Sequence, residues 1–240
     1  MARPLRIRTA DQLYHVTAHG AGSGSIFGSD RDRAVFLATV REAVSSFNWR
    51  CHSYCVMDTH YHRLIETPDS NLPEGMRWLN GTYGARFNVA HEQSGHVFDG
   101  RYHARVIRSH AHGLEVSRYI PLNPVRAGLC REPAEWKWSS YRGTMGIAEP
   151  PDFLCTTTIL GWFGAGQDAR SEFRAFVLAG VGITDPEVAA LTQLLRDGTL
   201  DQIRFAHDSF GYSLRAIAEH LGVHRSTLRR RLRPGAPKGV

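Results

Sequence analysis

Hydrophobic and polar residues follow two different periods along the first fifty residues. β-branched and aromatic side chains fill residues 13–19 and run into a stretch rich in glycine and serine at 20–25. This predicts a strand that ends in a loop. Apolar residues then recur at helical spacing over 35–47, behind Ser29 or Asp30 as the capping residue. The chain is therefore expected to open with a strand, a loop and a helix.

The pattern alternates again over the following seventy residues. Two extended stretches, 49–57 and 60–67, are separated by two residues and predict a hairpin. Residues 71–91 return to helical spacing, and a short strand near 104–107 precedes a helix from about 109 to 122. The order β-α-β-β-α-β followed by a helix is that of a split βαβ unit. We therefore predict an α+β, ferredoxin-like domain with an antiparallel sheet.

An aromatic segment and a proline-containing segment in the second half of the chain indicate the domain boundaries. An aromatic segment at 136–141 looks like a surface-docked end of the first domain, and Glu-Pro-Pro-Asp at 149–152 is typical of a linker. The predicted organisation is a first domain at 1–148, a helical linker region at 149–198 with helices at 169–179 and 186–196, and a small all-α tail at 199–240.

Composition narrows the class of partner. The 240 residues carry a formal net charge of +6 and are 42% hydrophobic, and all but two of the 29 basic residues are arginine. Arginine suits bidentate contact with phosphate, so the charge favours a polyanionic partner. No apolar run approaches the roughly 18 residues that a membrane span needs, and no apolar segment follows the basic N-terminus. A cytoplasmic protein without a membrane partner is expected.

Two histidines at the start of the predicted hairpin's second strand form a candidate metal site. Residues two apart on a strand point to the same face, about 6.6 Å apart at the backbone. The imidazoles of His60 and His62 can therefore converge on one metal ion, although alternating histidines also occur on plain polar surfaces.

Two nearby cysteines suggest an alternative metal site that includes the same histidines. Cys51 and Cys55 precede the histidines and raise the possibility of zinc, but four residues of strand span about 13 Å, which is too far for two thiolates on one ion. Core packing is the preferred interpretation. With Cys130 and Cys155 they do not form a disulfide framework, so free thiols are predicted.

A tyrosine and an asparagine form a second constellation. Tyr119 and Asn123 are four residues apart, so they share one face, a single turn apart, if the helix persists to residue 123. This would place a phenol beside a neutral oxygen ligand. Taken alone, each residue type is more often explained by packing or by a helix end.

Both constellations belong to a series of motifs that occur in order through the first domain. They are ARPLR at 2–6, LYHVT at 13–17, MD at 57–58 with HYH at 60–62, GHVF at 95–98 with GRY at 100–102, SRYI at 117–120 with LNPVRAGL at 122–129, and WSSY at 138–141. This series resembles the single-tyrosine HUH transposases of the IS200 type, and most closely their REP-associated tyrosine transposase relatives.

The resemblance implies a set of roles. Tyr119 would be the nucleophile that leaves a 5′-phosphotyrosine and a free 3′-OH, while His60, His62 and Asn123 would hold Mg²⁺ or Mn²⁺. The implied partner is single-stranded DNA with palindromic hairpins, bound by a nucleoid-associated protein that is a monomer rather than a dimer. No general base is assigned, since His15 and His103 qualify by residue type alone. Predicted DNA contacts in this domain are Arg3, Arg6, Arg101 and Arg126.

The sequence departs from the family's pattern at four places. Thr59 stands where relatives commonly carry Asn, and Arg63 stands where an apolar residue is usual. The loop at 18–24 lacks the expected Arg-Gly-Asn pattern. Pro121 removes one helical N–H and predicts a kink in the turn that joins the nucleophile to the last metal ligand. The metal and nucleophile residues themselves are intact.

The tail has a pattern of its own. Residues 213–232 read as helix, glycine-containing turn and helix, which is typical of a helix-turn-helix that binds duplex DNA. Leu228 and Leu232 would face inward, and a structural three-helix bundle with a solvated basic face is the alternative. Predicted DNA contacts in the tail are Arg225, Ser226, Thr227, Arg229, Arg230 and Arg231.

Three classes of function remain open on these grounds. The leading hypothesis is a metal-dependent single-stranded DNA endonuclease and strand transferase, because a pure binding protein has no need for all four of His60, His62, Tyr119 and Asn123 together. The second is a domesticated, non-cleaving relative that binds DNA or regulates transcription. An RNA-binding protein on a ferredoxin-like sheet is the weakest, since the aromatic pattern of RNA-binding sheets is missing.

Overall fold

The computed structural model describes residues 10–21, 25–164 and 166–181, and parts of the last sixty residues. The chain divides into two compact units, one ending at residue 181 and one beginning at residue 182. The described parts of the second unit are residues 195, 199–200, 203, 217–218, 221–224 and 226–228.

A four-stranded antiparallel sheet forms the centre of the first unit. Its strands are β1 (Gln12–His19), β2 (Arg50–Val56), β3 (His60–Thr67) and β4 (His103–Val106). They lie in the spatial order β2-β3-β1-β4, and every neighbouring pair is antiparallel. This is the strand order of a split βαβ unit, so the α+β, ferredoxin-like prediction is confirmed.

Helices cover both faces of the sheet. On one face lie α1 (Asp30–Ser46) and α2 (Leu72–Ala90), and on the other lies α3 (His110–Arg126). Strand alternation sorts the core accordingly: Tyr61 and Ile65 pack with α1 and α2, while Leu64 packs with α3.

A capping box fixes the beginning of α1. The Ser29 side chain accepts a hydrogen bond from the Asp32 N–H at 3.2 Å, and the Asp32 carboxylate accepts one from the Ser29 N–H at 2.8 Å. His91, just after α2, contacts the same carboxylate at 2.8 Å. The start of α1 and the end of α2 are thus joined through one buried acid.

Residues 138–140 cover the outer edge of β2, which agrees with the prediction that the segment at 136–141 docks on the first domain. The Val56 N–H donates to the Trp138 carbonyl, and the Ser140 N–H donates to the Tyr54 carbonyl, both at 2.9 Å. The Trp136 indole donates to the Val56 carbonyl at 3.1 Å. An edge strand covered in this way cannot pair with another chain.

Three further helices follow within the first unit. They are α4 (Tyr141–Thr144), α5 (Thr157–Gly161) and α6 (Gly166–Leu178). Phe173 and Val177 of α6 share a buried cluster with Ile120 and Leu122 of α3. The helix predicted at 169–179 is therefore present and supports α3 from outside. No helix of the described residues is long and apolar enough to cross a membrane.

A bulge explains why the two cysteines of β2 cannot share a metal. The pairing of β2 with β3 shifts register between Cys51 and Ser53. In consequence Cys51 packs with the α1 and α2 layer, while Cys55 packs with the α3 layer. Both are buried free thiols, and burial raises the pKa of Cys51 to about 12. Core packing, the preferred interpretation, fits these positions.

Arg63 is completely buried in the layer of α1 and α2. Its Nη2 lies 3.4 Å from the Tyr61 hydroxyl and 3.1 Å from the Met76 sulfur, and its guanidinium lies 4.7 Å from the Tyr61 ring centroid. An aromatic face and a polarisable sulfur thus surround this buried cation.

The described residues of the second unit include a small apolar cluster. Leu195, Ile203, Ile217, Ala218 and Leu228 are buried together, so Leu228 faces inward as predicted. Gly222, with φ of +63°, lies in a turn between helical residues 217–218 and 226–228. The predicted helices at 186–196, the remaining helical positions of the tail and Leu232 lie outside the described residues.

Two glycines of α2 provide a matched test of this packing. A Cβ at Gly75 would lie 2.1 Å from the Trp49 ring, whose indole is fixed by a 2.8 Å hydrogen bond to Asn71, whereas a Cβ at exposed Gly81 meets nothing within 4 Å. We expect Gly75→Ala to lower the free energy of unfolding by about 1–3 kcal/mol. Gly81→Ala should raise it by up to about 1 kcal/mol. Urea unfolding of both variants measures this, and equal shifts would contradict the packing described.

Candidate active site

The sheet face beneath α3 carries a row of histidines. In the register of β1 with β3, His19 pairs with His60 and Thr17 pairs with His62. His15 lies two residues further along β1 on the same face. Polar side chains of two neighbouring strands are thereby gathered at one place, although they are far apart in the sequence.

The two predicted metal-binding histidines lie side by side. The ring centroids of His60 and His62 are 5.0 Å apart, with planes at 84°. His60 is half-buried and His62 is buried. The His19 ring stacks on His60 at 4.8 Å. Both imidazoles are thus on one face of β3, as the alternation of a strand requires.

Each of these histidines has its Nδ1 atom in a hydrogen bond. The Nδ1 of His60 lies 3.1 Å from the Thr59 hydroxyl, and the Nδ1 of His62 lies 3.1 Å from the Nε2 of His15. The Nε2 of His62 is buried, and among the described residues it has no hydrogen-bond partner. A buried nitrogen in this condition is a suitable place for a cation, provided that it presents its lone pair.

Helix α3 brings Tyr119 against the same histidines. The half-buried ring of Tyr119 lies edge-on to His62 at 5.2 Å and to His15 at 5.8 Å between centroids. The guanidinium of Arg126, two turns further along α3, lies 4.9 Å from the centroid of the Tyr119 ring. A phenol, neutral imidazoles and a fixed cation therefore share one small region.

Asn123 is buried one turn after Tyr119. Its amide nitrogen donates to the Tyr119 carbonyl at 3.0 Å and approaches the Ile120 carbonyl at 3.4 Å. Pro124 lacks the N–H that the Ile120 carbonyl would accept in a regular helix, so the side chain supplies a substitute donor. Helix α3 runs through Pro121 and ends at Arg126, beyond the predicted end at residue 122.

Burial keeps the histidines neutral at physiological pH. Desolvation, followed by the nearby His19, lowers the pKa of His60 to about 4. Desolvation also lowers the pKa of His15 to about 3, with Arg105 and His112 as smaller contributors. The pKa of His62 is lowered well below 6.5 by the same cause. Neutral imidazoles can act as metal ligands and as hydrogen-bond acceptors.

The predicted DNA contacts occupy different surroundings. Arg101 is exposed in the loop before β4, and Arg126 is half-buried beside Tyr119. Ser226 is exposed and its hydroxyl lies 2.7 Å from the Nδ1 of His224, while Thr227 is half-buried. The remaining predicted contacts, Arg3, Arg6, Arg225, Arg229, Arg230 and Arg231, lie outside the described residues.

Sequence reasoning missed two residues of this region. Arg105 pairs with His15 across β1 and β4, and Thr59 bonds to a predicted metal ligand. Nothing local marks Arg105, because its neighbour comes from pairing between strands, whereas Thr59 is adjacent to His60 in the sequence and was noted only as a departure from the family's pattern. His103, named for its residue type, is exposed on β4 opposite Thr17.

The donor set available here is unusual. Among the described residues no three His, Cys, Asp or Glu side chains are arranged to hold a metal ion. A metal at this place would need a ligand of another type, and an amide oxygen is such a ligand. The predicted set of His60, His62 and Asn123 meets that condition.

Two comparisons with known proteins find similarity to transposases. The sequence model of the family described as "Transposase IS200 like" matches residues 10–123. A solved structure described as a REP-associated tyrosine transposase bound to a REP hairpin is similar in fold, with a TM-score of 0.53 and 14% sequence identity. The match covers 65% of this chain and 92% of that chain. No curated protein matches the chain significantly.

The neutral histidines predict a specific dependence of stability on pH. In the folded chain the pKa values of His60 and His112 are lowered to about 4 by burial, while unfolded histidine titrates near 6.5. As pH falls from 6.5 to about 4, the unfolded state binds protons that the folded state cannot accept. Stability should therefore decline in this window, by at most about 1.4 kcal/mol per pH unit for each such histidine.

Chemical unfolding at several pH values between 4 and 7 measures this decline. His112→Gln removes one of the buried imidazoles without touching the predicted metal ligands, so its slope should be shallower than that of the wild type. A free energy of unfolding that stays constant from pH 6.5 to 4 would contradict the assignment.

Proposed function

We propose that this chain, whose residues 10–123 belong to the IS200-like transposase family, nicks and rejoins single-stranded DNA through Tyr119. The observation that carries the proposal is the contact of the Tyr119 ring with buried His62, at 5.2 Å between centroids. Tyr119 of a helix and His62 of a strand, to which the family resemblance gives the roles of nucleophile and ligand, are neighbours.

The proposed reaction is a phosphoryl transfer. The Tyr119 oxygen attacks a backbone phosphorus, the bond from phosphorus to the 3′ oxygen breaks, and the products are a 5′-phosphotyrosine and a free 3′-OH. Overall, the phenolic proton is transferred to the leaving 3′ oxygen. Because the covalent link retains a phosphodiester, a second 3′-OH can reverse the step and join a new strand.

The residues present fit a divalent metal. His60 and His62 are neutral with their Nδ1 atoms in hydrogen bonds, and the buried Nε2 of His62 has no partner among the described residues. Together with Asn123 they would hold Mg²⁺ or Mn²⁺. Such an ion, when bound, polarises a phosphodiester oxygen and orients the scissile bond.

Arginines around the site suit a DNA substrate. Arg126 beside Tyr119 can bind the phosphate under attack, and Arg105 on β4 with Arg101 in the loop before it can contact the backbone. The similar solved structure contains a REP hairpin. We therefore infer that the substrate is single-stranded DNA with palindromic hairpins. As a separate proposal from the family resemblance, the chain acts as a monomer in the cytoplasm, in association with the nucleoid.

The tail is proposed to dock duplex DNA. Ser226 is exposed at the start of a helical segment whose Leu228 is buried, so the two sides of that segment differ as a recognition helix requires. The predicted arginines of the tail would supply contacts to phosphate.

A non-cleaving DNA-binding relative is the competing function. It would need the arginines but would not need a phenol packed against neutral, buried histidines. The geometry around Tyr119 therefore favours the enzyme.

Loss of the nucleophile should abolish the covalent step alone. Tyr119→Phe retains the ring that packs against His62 and removes only the attacking oxygen. We expect this variant to bind a hairpin oligonucleotide normally and to form no covalent adduct on a denaturing gel. Tyr61→Phe is the matched control, because the Tyr61 hydroxyl bonds to Asn80 at 2.7 Å in the opposite layer. An adduct that persists in Tyr119→Phe would refute the assignment.

Loss of a metal ligand should affect cleavage more than binding. We expect His60→Ala to slow nicking in Mg²⁺ or Mn²⁺ by more than roughly 100-fold, while affinity in metal-free buffer changes little, since the ion serves chemistry more than docking. Exposed His110, which contacts Trp162 at 5.5 Å, provides a control as His110→Ala. Equal nicking rates for wild type and His60→Ala would exclude this role of His60.

A further inference from the structure

We propose that His15 is a positioning residue, which holds His62 in the tautomer and orientation that direct the Nε2 lone pair into the site. The inference deepens the proposed function, since it concerns one of the proposed metal ligands, but the tautomer of His62 can be measured without any metal.

The two rings are joined edge to edge. The Nε2 of His15 and the Nδ1 of His62 are 3.1 Å apart, both side chains are buried, and the ring planes differ by only 22°. A centroid separation of 5.3 Å together with this short nitrogen-to-nitrogen distance describes a hydrogen bond near the plane of both rings. Each ring therefore fixes the rotation of the other.

A bond between two neutral imidazoles contains one proton, which gives two possible arrangements. If His62 donates through Nδ1, its Nε2 carries a lone pair and can bind a cation. If His15 donates through Nε2, then Nε2 of His62 carries a hydrogen and cannot bind one. The direction of this bond consequently decides whether His62 is a metal ligand.

The surroundings favour donation by His62. Its Nε2 is buried without an acceptor among the described residues, so an N–H at that atom would have nothing to bond. A lone pair at the same atom can be satisfied by a cation. His60 repeats the arrangement, since the Thr59 hydroxyl can accept from its Nδ1 at 3.1 Å.

The pair also contacts the proposed nucleophile. Tyr119 contacts His15 and His62 edge-on, with interplanar angles of 76° and 88°. Rotation of either imidazole would disturb this packing. His15 thus links the orientation of the ligand to the position of the phenol.

The first experiment measures the tautomer directly. Full-length, metal-free protein with ¹⁵N-labelled histidine is examined by NMR as wild type, His15→Gln and His15→Leu. The Gln side chain retains an acceptor for the His62 Nδ1–H, and Leu does not. We expect His62 to be the Nδ1–H tautomer in the wild type and in His15→Gln, and to shift toward Nε2–H in His15→Leu. His60, held by Thr59, should not change.

The second experiment measures Mn²⁺ affinity of the same three proteins by EPR of the free ion. His15→Leu should bind roughly 10- to 100-fold more weakly, which is typical for loss of a residue that orients a metal ligand. His15→Gln should recover most of this loss. Recovery by Gln distinguishes positioning from simple packing, because Leu preserves apolar volume at the buried position.

The outcomes separate this inference from the proposed function. An Nε2–H tautomer of His62 in the wild type overturns the role of His15, and this measurement does not depend on whether the variants fold. Mn²⁺ binding that is equal in all three proteins also overturns it and leaves the metal site intact. A wild type that binds no Mn²⁺ but shows the expected tautomers refutes the metal proposal while the role of His15 stands.

Discussion

The packing of α3 across the sheet is the interaction on which the candidate site depends. Without it, β1 and β3 would present histidines to solvent, and Tyr119, the proposed nucleophile, would not be near them. Ile120 and Leu122 are buried in one cluster with Leu64 of the sheet and with Phe173 and Val177 of α6. Because these neighbours of Tyr119 are held on two sides, apolar packing fixes the position of the phenol ring. The polar site is therefore built on an apolar contact.

That contact requires a helix that two prolines would be expected to weaken. Pro121 and Pro124 both lie inside α3, and each lacks an N–H for a carbonyl one turn earlier. The Asn123 amide bonds to the Tyr119 carbonyl at 3.0 Å and approaches the Ile120 carbonyl at 3.4 Å. Its nitrogen thus supports the helix, and its oxygen is the atom proposed to face a metal. An Ala at this position would lose both, so helix stability and ligation are linked at one side chain.

The sequence predicted the fold well where local period and local chemistry decide it. The hairpin of residues 49–57 and 60–67 follows from alternation, and the start of α1 follows from a capping residue at Ser29 or Asp30, of which the structure has Ser29. The end of α3 was predicted too early, because a proline indicates a helix end from its own backbone alone. In the structure the Asn123 side chain and the packing of α6 support the helix beyond that point. The faces of Cys51 and Cys55 depend on a bulge that no residue type announces.

Some residues of the candidate site could likewise be predicted from the sequence, and others could not. The shared face of His60 and His62 could be predicted from the alternation of a strand. Their proximity to Tyr119 could be predicted from the family resemblance alone. The contact with His15 required the register of β1 on β3, which is a property of the folded sheet. Arg105 was missed for the same reason, since it lies beside His15 only through the pairing of β4 with β1.

Burial and fixed positive charge act together on these histidines. Desolvation is the largest cause of the lowered pKa values of His15 and His62, and Arg105 and Arg126 lower them further. Imidazoles that stay neutral among arginines leave the positive potential of the region to the guanidinium groups. The proposed phosphodiester substrate would therefore meet cations that cannot lose their charge, while the imidazole nitrogens keep the lone pairs that the proposed metal requires. In the same region, burial thus keeps the imidazoles uncharged while the arginines remain charged.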